Sequence, residues 1–451
     1  MTRSGELGQR AFHTPPAKES DVAEDTDDKM KKSMAKVGSP AAGLPKPGVK
    51  PPAEPAPASG ELPRIGNVAG ALRPSRVQAA AKQVVVNDRF DYEVAFNMAF
   101  IGTGQGGSRI ANAFHKLGYG RVAVFNTTDM DFKGLDEDIP KLNLGVGGAA
   151  KDAEFAASQI KAREEEVWDL LTRSWGNNAD YALVCASLGG GTGSGTAPQL
   201  VQIARRYMEE KGKAPKVGAI VSLPSLTEGQ QQAKNAVSAF RELLALKVSP
   251  LVVIDNGRIH DLYNKPAITK LYPIANQTVS SLFHLFNQLA AVHSEYITFD
   301  RSELGQLLDG GVVAMGAADL AMDDIKSPAD ISSKIRDELT NNVLATVDLK
   351  KGRKAACLFV GAQEVLDALS LDFFDAGFSQ LNRTVGSAYK GASTVVHRGL
   401  YPGDSPGLQV YTMVSELEPP MERLAQLAKV GNMKAELQNP KGLAAHMGVQ
   451  D

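Results

Sequence analysis

Eight consecutive residues, Leu188-Gly189-Gly190-Gly191-Thr192-Gly193-Ser194-Gly195, hold five glycines with a threonine and a serine between them. Such a run does its chemistry through the backbone. Glycines let N–H groups approach an anion closely, a helix N-terminus adds partial positive charge, and Thr192 and Ser194 offer hydroxyls, so the run reads as a phosphate site. A second turn, Gly102-Thr103-Gly104-Gln105-Gly106-Gly107-Ser108, repeats the composition, and a third follows at 145–150. Tyr272 and Asn276 lie four apart. On one helix face, an aromatic ring beside a carboxamide can stack on a base and read the edge of a purine. Asp300 and Glu303 lie three apart, a spacing that serves a capping box at a helix start or puts two carboxylates on one side.

These groups need elements to hold them. Tyr181 to Ser187 reads as a buried strand, and from Thr196 the apolar residues fall at helical spacing, so the first glycine run sits where a strand hands over to a helix. Phe96 to Ile101 predicts a strand, Arg109 to Leu117 a helix, and Arg121 to Phe125 a second strand, a βαβ opening. Its G-x-G-x-x-G serves any phosphate at a strand-to-helix turn. A dinucleotide reader wants an acidic residue at the end of the second strand; Asn126 stands there, with Asp129 set back in the loop, and a nicotinamide oxidoreductase is the alternative. The pattern further predicts a helix over Asp152 to Thr172, strands over Lys216 to Leu223 and Leu251 to Ile254, and a long helix opening at Lys270 and running to about Val292. Beyond it come a strand at Val312 to Ala317, a helix at Ile331 to Leu344, and strands at Ala355 to Val360, Thr394 to His397 and Leu408 to Ser415. His397 reads as structural. The fold class is α/β.

The chain has 451 residues, room for two or three domains, and a formal net charge of -2, which gives no general pull toward nucleic acid or anionic membrane. No apolar run approaches the ~20 residues that span a bilayer. The N-terminal residues lack the apolar stretch of a secretory signal, and Cys185 and Cys357, with no metal-ligand spacing, suit reduced thiols in a cytoplasm. Residues 1–90 carry nearly half of the 24 prolines and almost no aromatics, so a disordered extension is expected, with a short basic cluster from Lys29 to Lys36.

The run from Gly189 to Gly195 is identical in pattern to the signature loop of the tubulin/FtsZ family of GTPases, and the chain resembles that family from about 91 to 427. The resemblance implies a Rossmann-like parallel-sheet GTPase domain at 91–275, a long central helix at 276–293, a second smaller α+β domain at 294–430 and a polar tail at 431–451. It implies GTP or GDP with Mg²⁺, and a cytoplasmic chain that assembles head to tail with copies of itself. It assigns the phosphates to Gly104, Gln105, Gly106, Gly107 and Asn126 and to Gly189, Gly190, Gly191, Thr192, Gly193 and Ser194. Gly147, Gly148 and Ala149 would cap the terminal phosphate, Glu228 would meet the ribose, and Asn256, Tyr272 and Asn276 the base. Gln232 stands where the family commonly has an arginine near the phosphates, and Arg109 is the candidate to replace its charge. Gln277 and Thr298 also depart from the family pattern. Asp300 and Glu303 are implied to reach the terminal phosphate held by the neighbouring subunit, where carboxylates orient and partly deprotonate the attacking water. A GTP-binding regulator that does not polymerise is a further alternative. An adaptor is expected on the N-terminal extension, and the tail lacks the acidic and apolar peptide by which FtsZ docks its membrane anchors.

Overall fold

The computed structural model describes residues 88–145, 147–262, 268–388 and 394–449. The extension expected over 1–90, with its basic cluster, therefore lies outside the described residues up to 87, as does Val146 of the third glycine turn.

The first half alternates strand and helix: β1 (Met98–Thr103), α1 (Gly104–Leu117), β2 (Val122–Asn126), β3 (Lys141–Asn143), α2 (Ala153–Ala162), α3 (Glu164–Trp175), β4 (Tyr181–Ser187), α4 (Gly191–Glu210), β5 (Val217–Leu223), α5 (Gln230–Ala245), β6 (Leu251–Asp255) and α6 (Asn256–Leu262). Its strands pair in parallel in the order β3-β2-β1-β4-β5-β6. β1, β4 and β5, buried on both faces, are continuous apolar runs rather than alternating ones, which is why they read clearly from the sequence, whereas the short β3, Lys-Leu-Asn and half-buried, is not predicted from it.

The long helix α7 (Ile268–Leu289) leads to α8 (Arg301–Leu308), β7 (Val312–Leu320), α9 (Pro328–Thr340), β8 (Lys354–Gly361), α10 (Gln363–Ala368), α11 (Leu371–Thr384), β9 (Val395–Pro402), β10 (Leu408–Leu417), α12 (Met421–Val430) and α13 (Pro440–Met447). The second half extends the same sheet: β7 pairs with β6 at Leu251↔Val312 and Val252↔Val313, and β10, β8 and β9 follow outward. Val279, Leu282, Phe283, Phe286 and Leu289 of α7 are buried, the stripe its spacing predicts.

Several boundaries differ from expectation. Both α1 and α4 begin inside their glycine runs, at Gly104 and Gly191, so the glycines form the first helical turns. The helix expected over 152–172 is broken at Arg163, whose guanidinium turns back to the Asn143 carbonyl and to Glu166. The polar tail contains α13, with Leu443 and Met447 buried. Asp88, within the extension expected over 1–90, forms a buried ion pair of 2.7 Å with Arg121. From there residues 88–96 lie along α1 and α7. Tyr92 Oη and His284 Nε2 are 2.7 Å apart, His284 Nδ1 and Tyr119 Oη 3.0 Å, and Asn287 bonds both the Phe96 N–H and its carbonyl.

A glycine pole and an acidic pole

β1 and β4 are neighbours, and the helices that follow them leave on opposite faces: α1 packs with α7 in one apolar cluster, α4 with α3 and α5 in the other. The crevice at their C-terminal ends is the switch point where open parallel sheets bind ligands. Two helix N-termini converge there, close enough that a Cβ on Gly104, whose φ is +66°, would lie 3.0 Å from the Gly193 nitrogen. This concentrates N–H groups and two dipole ends on one spot.

The glycines fall into two kinds. Some admit no side chain: a Cβ on Gly107 would lie 2.0 Å from the Cys185 carbonyl oxygen, on Gly193 2.4 Å from that of Ser187, and on Gly191 2.7 Å from the Asp152 nitrogen. Gly106 and Gly189 are also close-packed, against Ser187 and Pro224. Others face open space: Gly190, which caps α4, and Gly147 and Gly148 on the third turn have no atom within 4 Å of the Cβ position. Ala149 beside them is buried, and its carbonyl accepts from Asp152 N at 2.7 Å.

The hydroxyls are engaged within the protein. Thr192 Oγ1 lies 2.8 Å from Thr127 Oγ1, and Ser194 Oγ turns back to the Gly190 and Gly191 carbonyls. Thr103 and Thr196, which the sequence reading did not single out, join through their hydroxyls at 2.5 Å and tie β1 to α4. Asn235 of α5, also missed, donates from Nδ2 to the Lys151 carbonyl at 2.9 Å and to that of Gly189 at 3.5 Å, linking two glycine turns. Asn126 is buried, donating to Asp131 Oδ2 at 3.1 Å and accepting from Thr127 N at 2.8 Å. Gln105 and Arg109 on α1 are exposed.

Beside this crevice Glu228 Oε1 accepts from Ser225 N at 2.8 Å and from Asn256 Nδ2 at 3.5 Å. Burial, and then the Glu228 carboxylate, push the Tyr272 hydroxyl above its ordinary range. Asn276 follows one turn along α7, half-buried like Tyr272. The 225–228 turn and Asn256 thus meet. Behind them Asp255 is held by Arg423 of α12, with Nε to Oδ2 at 2.8 Å and Nη2 to Oδ1 at 2.9 Å.

Asp300 and Glu303 occupy the other end of the sheet. Asp300 caps α8 in a full capping box: its Oδ1 accepts from Glu303 N at 2.9 Å, and Glu303 Oε2 accepts from Asp300 N at 3.0 Å. Arg301 pairs with Asp180 at 3.3 Å, and Asp309 with Lys216 at 2.8 Å. Asp180 and Lys216 directly precede β4 and β5, so α8 lies at the N-terminal ends of the strands whose C-terminal ends carry the glycine turns. The seven residues of β4 put about 20 Å between the two ends.

The acidic loop is gripped by the outer edge of β9. Leu400 N donates to the Ile297 carbonyl at 2.9 Å, and Tyr401 Oη accepts from Phe299 N at 2.7 Å and donates to its carbonyl at 3.1 Å. Ser294 Oγ donates to the Leu400 carbonyl. Thr298 Oγ1 closes a local turn, accepting from Ser294 N at 3.0 Å. His397 is more than a packed strand residue: its Nδ1 lies 3.0 Å from Glu303 Oε1.

Cys185 and Cys357 are buried free thiols, which burial pushes well above the ordinary thiol range. Among the described residues no helix is long and apolar enough to cross a membrane, and no three His, Cys, Asp or Glu gather to hold a metal ion.

The family model described as "Tubulin/FtsZ family, GTPase domain" matches residues 97–264. Among curated proteins, the cell division protein FtsZ of Haloferax mediterranei is 23% identical over 308 residues, which is 66% of this chain and 74% of that protein. Cell division protein FtsZ 1 of Pyrococcus horikoshii is 25% identical over 280 residues, 59% of this chain and 68% of that protein. Among solved structures, a GTPγS-bound protofilament of CetZ2 from Haloferax volcanii matches with a TM-score of 0.62 at 19% identity, over 74% of this chain and 97% of that one. GDP-form protofilaments of TubZ from Bacillus thuringiensis serovar israelensis match with a TM-score of 0.64 at 19% identity, over 78% and 95%. At these identities the structural likeness concerns the fold.

Proposed function

We propose that this chain is a GTPase of the tubulin/FtsZ kind, cytoplasmic, that assembles head to tail and cleaves GTP between subunits. The observation that carries the reading is the separation of the two poles. A glycine crevice at one end of the sheet and an exposed carboxylate at the other cannot meet within one molecule, and do meet when copies stack.

The roles divide by chemistry. Gly104, Gln105, Gly106, Gly107 and the run from Gly189 to Ser194 surround the phosphates with N–H groups, with Asn126 at the end of β2 and the open turn of Gly147, Gly148 and Ala149 over the terminal one. Arg109, exposed on α1, supplies a positive charge. Glu228 bonds the ribose; Tyr272 stacks on guanine, and Asn276 and Asn256 read its edge. Mg²⁺ would accompany the phosphates as their counter-ion. Asp300 is exposed and, among the described residues, only its Oδ1 accepts a hydrogen bond, which leaves Oδ2 to orient and deprotonate a water on the next subunit's terminal phosphate. Exposed apolar side chains at both ends, Met130 and Leu226 beside the crevice and Tyr296 in the acidic loop, gain burial on stacking. The domain limits 91–275, 276–293 and 294–430 belong to the same proposal, with an adaptor bound by the N-terminal extension.

Turnover per molecule tests it. GTP hydrolysis per protein should climb with protein concentration, in step with light scattering that GTP supports and GDP does not. A rate per molecule that stays flat across a hundredfold dilution would remove the shared site.

A further inference from the structure

We propose that His397 is a positioning residue for hydrolysis, fixing Glu303 and through it the orientation of Asp300. The inference rests on the hydrolytic reading above and adds to it a division of labour between the two carboxylates.

The hydrogen bonds run in one chain. His397 Nδ1 bonds Glu303 Oε1 at 3.0 Å, Glu303 Oε2 accepts from Asp300 N at 3.0 Å, and Asp300 Oδ1 accepts from Glu303 N at 2.9 Å. An ionised carboxylate only accepts, so the proton between His397 and Glu303 sits on Nδ1. Both oxygens of Glu303 are then engaged, whereas Asp300 is exposed and accepts a hydrogen bond, among the described residues, at Oδ1 alone. Asp300 is therefore the carboxylate that meets the neighbour's phosphate, and Glu303 is the brace that sets it.

A purely structural account of His397 is poor. Its side chain is 7% exposed, its Nε2 has no hydrogen-bond partner among the described residues, and it lies beside the Phe299 ring at 6.3 Å between centroids. A phenylalanine there would fill the space without an unpaired buried nitrogen, so packing alone does not account for an imidazole. What the imidazole adds is one donor aimed at one carboxylate. β9 already grips the loop backbone at Ile297 and Phe299, and the histidine carries that grip to the side chain of Glu303.

The experiment uses the full chain with His397→Phe, which removes the donor and keeps a ring, and His397→Asn, whose Nδ2 can stand where Nδ1 stood. GTP affinity, KM, kcat and GTP-dependent scattering are measured for each, and again with Glu303→Ala added. His397→Phe should lower kcat about tenfold or more with KM and affinity within about twofold, and His397→Asn should recover most of the loss. With Glu303→Ala in place, His397→Phe should cost nothing further. A normal kcat in His397→Phe, equal damage in both single variants, or an undiminished effect in the Glu303→Ala background would overturn the assignment. Asp300→Ala run alongside separates the two ideas: if it hydrolyses normally, the hydrolytic reading itself fails. If it is slow while His397→Phe is normal, only the role of His397 falls.

Discussion

The glycine pole and the acidic pole are built in opposite ways. The first is made of backbone held so close that several positions reject even a methyl group, the Cβ of Gly107 meeting a carbonyl oxygen at 2.0 Å. The second is made of side chains held by side chains, with Asp300 exposed and Glu303 braced from a strand 94 residues later in the chain. One pole depends on the absence of atoms and the other on the presence of particular ones. Substitutions at the first should therefore damage fold and ligand affinity together, while those at the second should damage turnover alone.

The largest effect is expected where that contrast is sharpest. Gly107→Ala drives a methyl group into β4, and unfolding by denaturant should show a loss of about 3 kcal/mol or more, with co-purified nucleotide lost as well. If the variant melts like the wild type and keeps its nucleotide, the close packing is not what the glycine is for. Asp300→Ala should slow hydrolysis about 100-fold while leaving melting temperature and GTP affinity unchanged. A variant that loses affinity in step with rate would erase the difference between the poles. Tyr272→Ala should weaken GTP binding about tenfold, the loss of one stacked base, with stability almost unaffected. An equal loss for inorganic triphosphate would show that the ring does not touch the base.

A smaller effect belongs to neither pole. Burial lowers the pKa of His284 to about 4 from 6.5. Between those values the unfolded chain binds a proton that the folded chain refuses, so this group's contribution to stability is present above about 6.5 and declines as pH falls toward 4. In His284→Gln the pH dependence of unfolding across that window should be shallower by up to one proton, while hydrolysis at neutral pH stays close to normal. Titrations that superimpose for both proteins would contradict the buried neutral imidazole.

How legible each pole was follows from the same contrast. The strands read well because parallel strands covered on both faces are continuous apolar runs, and β4 begins and ends where the sequence placed it. The glycine turns read well because each is contiguous. Their helices were placed five residues late, since glycines at a helix N-terminus look like loop. The pairs Thr127 with Thr192, Thr103 with Thr196, and Glu303 with His397 stayed hidden because each partner is an ordinary residue far along the chain, and only the fold brings them together. The polar tail concealed α13 because a short helix needs only Leu443 and Met447 to anchor it. A histidine on a strand carries no sign of which carboxylate it will meet. The spacing of Glu303 from Asp300 predicts a capping box, and that box forms in the same side chains to which hydrolysis is proposed.

Arg423 closes the chain on itself in a way that reaches the glycine crevice. Its guanidinium fastens the C-terminal helix α12 to Asp255 at the tip of β6 and to the Pro224 carbonyl at the tip of β5, one residue from Asn256 and four from Glu228. Trimming the protein after β10 would leave that buried aspartate without its guanidinium partner, with the Gly257 N–H still bonded to it, and the Glu228 side of the crevice would loosen although every residue lining it remained. Helix α12 is thus a latch on the ends of β5 and β6, so a label or fusion meant to be harmless there deserves the same controls as a mutation in the crevice.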